Sequence, residues 1–536
     1  MNIRKTALGA AAFLACAATL SLTAAPPRDE QLPPSQKLRF AEMLIENYYV
    51  DSVAPDSIVT EAIVAMLKTL DPHSSYTSPK ETEELTQPLD GKFSGIGVQF
   101  SIVRDTVCVV QTTAGGPSQR LGILPGDRIL YVNDTLFTHP KMVNSEVLKT
   151  LRGPKGSVVN LKVKRGDEKE LIDFRIVRDD IPIYSVDNVY MVTPEVGFIS
   201  VSRFAEDTPS EIDDAISKLR ARGMKHLIID LQSNGGGYLG AAHGLASRFL
   251  KPGDVTVSTK GRAVPDTRLT VDKNYDTGVD RLVVMVDQFS ASAAEIFAGA
   301  MQDYDRGVVV GRRTFGKGLV QRPFPFPDGS MIRLTTSRYY TPSGRSIQKP
   351  YAKGHGEEYQ LDMLNRLSHG ELWSADSMKI DSTLEYRTLR HGRVVYGGGG
   401  IVPDRFVPLD TTNNTRFQRD IVAKGILNRF VTDRLDKNRT ALLARYPDND
   451  TFCRTYDIGP EYDQLIVTAR AEGLEPTDQD LERSGRLIAA MLKGLMARDL
   501  YPDGTYMQCV NPLNQVFNQA LDLILDPEAY NRLLQP

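Results

Sequence analysis

Gln288–Gln321 reads QFSASAAEIFAGAMQDYDRGVVVGRRTFGKGLVQ, and the organisation of the chain follows from it. An apolar run ending at Asp287 leads in, a helical pattern runs from Ala293 to about Tyr304, and a short strand at Val308–Val310 precedes a lysine flanked by glycines. Ser292 stands where strand gives way to helix, which puts its hydroxyl near the positive end of a helix dipole. Lys317 stands in the turn FGKG, where small neighbours let backbone and substrate approach closely. A serine and a lysine brought together by turns is one recipe for an activated nucleophile without histidine. Isolated Ser and Lys residues are ordinarily solvated surface, so the weight rests on the whole string. Ser290, two residues earlier, competes for the nucleophile role on spacing alone.

The string resembles the active-site region of the C-terminal processing peptidases, or tail-specific proteases, and the likeness continues through TPSGRSIQ to Gln348. In that family the nucleophile is the second serine of a SASA-type motif and the base is the lysine of FGKG, which are Ser292 and Lys317 here. The separation, 317 − 292 = 25, is the family's usual one and selects Ser292 over Ser290. Ser290 is then expected to cap the helix. The resemblance also assigns Gln321 to orient the lysine.

A second element is HLIIDLQSNGGG, a buried strand followed by glycines, preceded by a capped amphipathic helix pattern, TPSEIDDAISKLRARG. A glycine run after a strand can turn backbone N–H groups toward an anion. The family carries DLRxNxGG here, and the resemblance makes the Gly237 N–H and the Ala293 N–H the two oxyanion-hole donors. Gln232 stands where the family usually has arginine. The loop lacks the GxxxxGK[ST] context of a phosphate-binding loop. A Ser-His-Asp arrangement using His226 or His243 near Asp230 is the rival within hydrolases, but no G-x-S-x-G elbow precedes a helix.

Between about Glu84 and Asp179 the pattern is short alternating strands with glycine turns, including GKFSGIGVQF, LGILPGDRI and LRGPKG. These resemble a PDZ domain, and Gly95, Ile96, Gly97 and Val98 match its carboxylate-binding loop, which captures a peptide C-terminus while the peptide extends a sheet edge.

Composition bounds the remainder. The chain has 536 residues, 41% hydrophobic and 24% charged, with net charge −3, as for a soluble multidomain protein with no electrostatic footprint for nucleic acid. Seven scattered histidines and four cysteines form no metal-ligand spacing, so neither metal nor cofactor is expected. Arg4 and Lys5, an apolar run to about Leu22 and then TAAPP read as an export signal, with Cys16 as a weaker candidate for a lipid tether. No later stretch has transmembrane length. Export permits disulfides: Cys453 and Cys509 could bridge, whereas Cys108 in an alternating strand reads as a small buried apolar residue.

The expected fold is α/β and multidomain. It comprises a signal segment (1–25), an N-terminal helical segment (36–83), a PDZ domain (84–179), a crotonase-like ββα peptidase core (181–409) and a C-terminal helical extension (410–536). The N-terminal segment closes with LDPHSSY, a family-like loop in which His73 is expected to pack. Within the core, the family's GGIxPD segment corresponds to Gly397–Asp404, so about 349–396, holding the sole tryptophan Trp373, reads as an insert. The extension is expected to dimerise or shape a substrate tunnel, with a solvated helical tail as the alternative. The implied function is an exported, periplasmic serine endopeptidase. Its partners are protein substrates held by their C-terminal tails, with an adaptor or homo-oligomer left open. The alternative from a different class is a silent PDZ adaptor.

Overall fold

The structure, a computed structural model, describes residues 32–113, 115–166, 168–501 and 504–536. The expected export signal and Cys16 lie outside them. Among the described residues no helix is long and apolar enough to cross a membrane. The chain divides into two compact units, Met1–Leu70 and Asp71–Pro536. In the first, helices Pro34–Tyr48 and Pro55–Lys68 each begin with proline, whose fixed φ suits a first turn that needs no N–H partner.

The second unit is built on a six-stranded sheet in the order Val186–Met191, Val196–Val201, His226–Asp230, Leu282–Val286, Val308–Gly311, Arg405–Phe406. The first pair is antiparallel and the others parallel. The runs HLIID, LVVMV and VVVG are buried at every position, as parallel strands covered on both faces require. Helices Thr208–Arg220, Leu239–Ser247 and Ala293–Asp303 cover one face through Ile212, Leu245, Phe297 and their neighbours. The register sets Asp230 beside Met285 and Val286 beside Gly311, so three strand C-termini end together. Crevices at such strand ends are where open α/β sheets place their ligand sites.

The opposite face is covered by the last two helices, Gln515–Leu525 and Pro527–Leu533, whose Val516, Phe517, Ile524 and Tyr530 pack on Phe198, Ile228, Val283 and Val308. This overturns the solvated-tail alternative: these helices cover the second face of the six-stranded sheet. Helices between Arg416 and Leu500 instead form a separate core around Ile421, Phe452, Leu465 and Leu492.

A second sheet joins Ser75–Thr77, Met331–Tyr340, Val255–Gly261 and Thr267–Thr270, with Leu319–Pro325 on the other part of the long Met331–Tyr340 strand. A third sheet runs Val98–Val103, Thr106–Thr112, Arg128–Val132, Val158–Lys164, Ile172–Val177, around a core that includes Val107, Ile129, Val147 and Leu161. Its entry and exit strands, Lys92–Gly95 and Asp179–Pro182, pair with each other, the arrangement an inserted domain needs.

Candidate active site

The turn that carries Ser292 follows the strand Leu282–Val286. Asp287 Oδ1 accepts the N–H groups of Phe289 and Ser290, which reverses the chain. Ser290 is fully buried; its Oγ donates to Leu231 O (2.7 Å) and accepts from Asp287 N (2.9 Å). Ser290 therefore fastens this turn to the neighbouring strand end instead of capping the helix; the cap position belongs to Ser292. Ser292 has φ 56° and ψ −113°, a backbone conformation uncommon outside glycine and of the kind that clusters at functional sites.

Glu295 was not singled out from the sequence, although Ser292-Ala-Ala-Glu295 has capping-box spacing. Its carboxylate is fully buried and accepts four bonds. Oε2 takes Ser292 N (2.8 Å) and Lys317 N (2.9 Å), and Oε1 takes Gly316 N (2.7 Å) and Thr314 Oγ1 (2.5 Å). One carboxyl group thus binds the Ser292 turn and the Lys317 turn to each other. Burial raises its pKa to about 7, against the four donors that favour the charged form. The Tyr339 hydroxyl adds a second tie, 3.1 Å from Ser292 O and 2.6 Å from Lys317 O.

Lys317 is the only residue of its turn whose long side chain enters the cavity. Among the described residues none accepts a hydrogen bond from its Nζ. Desolvation first, and then the neighbouring Arg333, lower its pKa to about 8. The insert contributes no lining residue; it supports the turn from behind, with Lys349 N donating to Gly316 O (2.9 Å).

The glycine loop follows His226–Asp230. Asn234 organises it: Nδ2 donates to Val201 O (2.7 Å), Oδ1 accepts from Gly236 N (2.8 Å), and its carbonyl accepts from Ala291 N (2.9 Å). Phe204 N donates to Gly236 O and Phe204 O accepts from Tyr238 N, a stitch that passes over the Gly237 N–H. Only glycine fits here. A Cβ on Gly237 (φ 150°) would lie 2.1 Å from Phe204 O, and one on Gly236 (φ 100°) would lie 2.8 Å from Ser292 Cβ. Gln232, the departure from the family arginine, accepts from Asn514 Nδ2 (3.0 Å) at the start of the sheet-covering helix Gln515–Leu525.

These elements meet in a cavity of about 450 Å³ lined by Ser292, Ala293, Gly235–Gly237, Lys317 and Gln321. Arg203 and Arg333 add positive charge, and among the described residues no carboxylate lines it. Gln321 faces the cavity, but its amide donates to Leu319 O and Thr335 Oγ1 (3.2 Å each), and among the described residues it makes no bond to Lys317. Thr335 in turn donates to Asp71 Oδ1 (2.9 Å), which also accepts from His73 N (2.9 Å). His73 Nε2 lies 3.0 Å from the Tyr359 hydroxyl of the insert, and burial lowers its pKa to about 4, so it packs as a neutral ring. His243 bonds Thr256 and His226 bonds Arg281, so neither forms a triad with Ser292. Among the described residues no cluster of three or more potential metal ligands occurs.

The Gly95–Val98 loop is held by its carbonyls. Ile96 O accepts from Ser118 N and Oγ (3.1 and 2.7 Å), and Gly97 O accepts from Thr113 N (3.0 Å). The strand it feeds, Val98–Val103, is the edge of its sheet and, among the described residues, pairs only with Thr106–Thr112. Arg152 lies over Phe93 and donates to Gln87 Oε1 (2.9 Å), whose chain neighbours Thr86 and Pro88 line the cavity.

Known proteins share these parts. Residues 195–355 match the profile of Peptidase family S41, 94–176 that of the PDZ domain, and 417–503 that of a family of unknown function. A carboxy-terminal-processing protease of Bartonella bacilliformis is 32% identical over 63% of this chain and 79% of its own. A probable CtpA-like serine protease of Staphylococcus aureus is 31% identical over 67% of this chain and 72% of its own. Among solved structures, the photosystem II D1 C-terminal processing protease matches at 28% identity and TM-score 0.34, covering 59% of this chain and 84% of its own. The PDZ domain of a Vibrio cholerae carboxy-terminal protease matches at 29% identity and TM-score 0.16, covering 17% of this chain and 97% of its own. The chain belongs to the carboxy-terminal-processing serine proteases of peptidase family S41 and carries the PDZ domain of that family.

Proposed function

We propose that this protein is an exported endopeptidase that captures protein C-terminal tails in its PDZ groove and cuts them with a Ser292–Lys317 dyad. The observation that carries the reading is the single cavity where Ser292, the glycine loop and Lys317 meet, with Glu295 holding both turns. At pH 7 a lysine with pKa about 8 is neutral in roughly one molecule of ten, against one in several thousand for a solvated lysine. Neutral Lys317 takes the Ser292 proton as Oγ attacks the peptide carbonyl, and the ammonium then returns that proton to the leaving amine. Water repeats the sequence on the acyl-enzyme.

The Gly237 and Ala293 N–H groups are the donors for the tetrahedral oxyanion. Removing one such donor typically slows an acyl transfer about 10²–10³-fold. Arg203 and Arg333 add a positive field that favours both the oxyanion and the neutral amine. Gln321 is assigned to support the lysine's strand through Thr335 and to meet the amine by a short rotation of its amide. Peptide would add to the Val98–Val103 edge, with its carboxylate at the Gly95–Val98 amides.

The test is a folded substrate with an apolar C-terminal tail. Wild type cleaves it, whereas Ser292→Ala and Lys317→Ala bind the tail with unchanged affinity and do not cut. Retention of most activity by Lys317→Ala would remove the dyad, and tail binding by wild type with no cleavage would leave an adaptor.

A further inference from the structure

We propose that Cys453 and Cys509 form a disulfide that clips the C-terminal helices to the peptidase core beneath the glycine loop. Their sulfurs lie 3.4 Å apart across 56 residues of chain, Cys453 on the helix Asn449–Thr455 and Cys509 on the helix Tyr506–Val510. Both side chains are half-buried and within reach of a small oxidant.

The surroundings hold the two helices in register. Asn449 Nδ2 donates to Gln508 Oε1 (2.8 Å), and Gln508 Nε2 donates to Asp450 Oδ1 (2.9 Å). Asp450 is also ion-paired to Arg222 of the peptidase core. Just beyond Cys509, Asn511 donates to the Tyr190 hydroxyl (2.7 Å) and Asn514 to Gln232 (3.0 Å). The clip therefore lies on the segment that supports Gln232, at the root of the glycine loop. Cys108 is buried in the PDZ core with its thiol pKa raised to about 11 by desolvation, which leaves it inert. Two thiols without a third ligand among the described residues do not make a metal site.

The reaction is thiol–disulfide exchange with a small-molecule disulfide. Cys509 is the thiol favoured as thiolate, by the Cys453 S–H and then by Lys493. It attacks one sulfur of the oxidant and expels the first thiol. Cys453 then gives up its proton and attacks Cys509 Sγ, expelling the second. Two electrons and two protons leave the protein with two molecules of thiol.

Oxidised glutathione on the folded full chain, followed by denaturing alkylation and peptide mapping, provides the test. Cys453 and Cys509 are expected to lose alkylation together and to appear as one cross-linked peptide, two hydrogens lighter than the sum of its parts, with Cys108 still a thiol. The oxidised protein is expected to melt about 4 °C above the dithiothreitol-reduced form, as a loop of this length in a unit of this size implies. Amide exchange over residues 506–514 should slow on oxidation. Cys453→Ala should lose the redox difference and collect a glutathione adduct at Cys509. Alkylation of either cysteine after oxidation, adducts on both in wild type, or one melting temperature in both redox states would overturn the proposal. The wild-type arms need no variant to fold, and none depends on peptidase activity.

Discussion

Two lysines share one turn and have opposite fates. Lys317 and Lys349 are joined through the backbone, Lys349 N donating to Gly316 O (2.9 Å), and desolvation lowers the pKa of both. Lys349 Nζ lies 4.0 Å from the ring centroids of Phe315 and Tyr359 and donates to Tyr359 O (3.2 Å) and Asp362 Oδ2 (3.0 Å). Every one of these partners favours the ammonium, so Lys349 is a caged cation that holds the insert on the turn. Lys317 has no such acceptor among the described residues and has Arg333 beside it. Burial alone does not make a base. The difference lies in what each ammonium would touch if it kept its proton.

The largest expected effect that tests this contrast is Lys317→Met, which should lower kcat by about 10³–10⁴-fold with little change in tail binding. It should also stabilise the protein. The unfolded lysine, near 10.5, binds more protons than the folded one near 8, so stability rises as pH climbs between those values and is lowest below 8. At pH 7 the methionine variant should gain roughly 1–3 kcal/mol by denaturant titration, and the gain should fade toward pH 10. A destabilised Lys317→Met would mean that the lysine is not held under desolvation.

Next, Glu295→Gln places an amide NH₂ against groups that already donate. It should reduce kcat about 10²–10³-fold and lower stability by about 2–3 kcal/mol, because the two donors that face the NH₂ lose their acceptor while the remaining carbonyl oxygen keeps the other two. Unchanged kinetics would show that Ser292 and Lys317 are aligned without it. A smaller effect concerns the acid limb of kcat/KM. In wild type it should fall tenfold per pH unit below about 8. Arg333→Gln removes a neighbouring cation and should move that limb upward by roughly half a unit. A limb that stays in place would exclude Arg333 as a determinant of the base. The smallest change in rate belongs to Lys349→Met. Activity should stay within about threefold while stability falls by about 1–3 kcal/mol, so Lys349 would register in melting and not in pH profiles.

Much of the candidate site could be read in the string around Ser292 and Lys317, because local turn chemistry and family spacing both lie in consecutive residues. The candidate peptide-binding loop was legible for the same reason, since Gly95–Gly97 lead into the edge strand Val98–Val103. Glu295 was missed although its capping-box spacing to Ser292 was visible, because three of its four donors come from Thr314, Gly316 and Lys317 on another segment. Ser290 was assigned to the helix from proximity, whereas its hydroxyl serves Leu231, 59 residues away. The C-terminal helices were left between an appendage and a tail, because an amphipathic face does not state which surface it will cover.

By itself, the sequence determined the chemistry available: a serine at a strand-to-helix switch, a lysine between glycines, a glycine loop after a buried strand, and a PDZ loop. Those are local consequences of backbone conformation and periodicity. Only the tertiary structure decided which lysine is buried without an acceptor among the described residues, which carboxylate joins the two turns, and that Asn514 takes up Gln232. These depend on partners from distant segments and on the water that packing excludes, and neither is written in residue order.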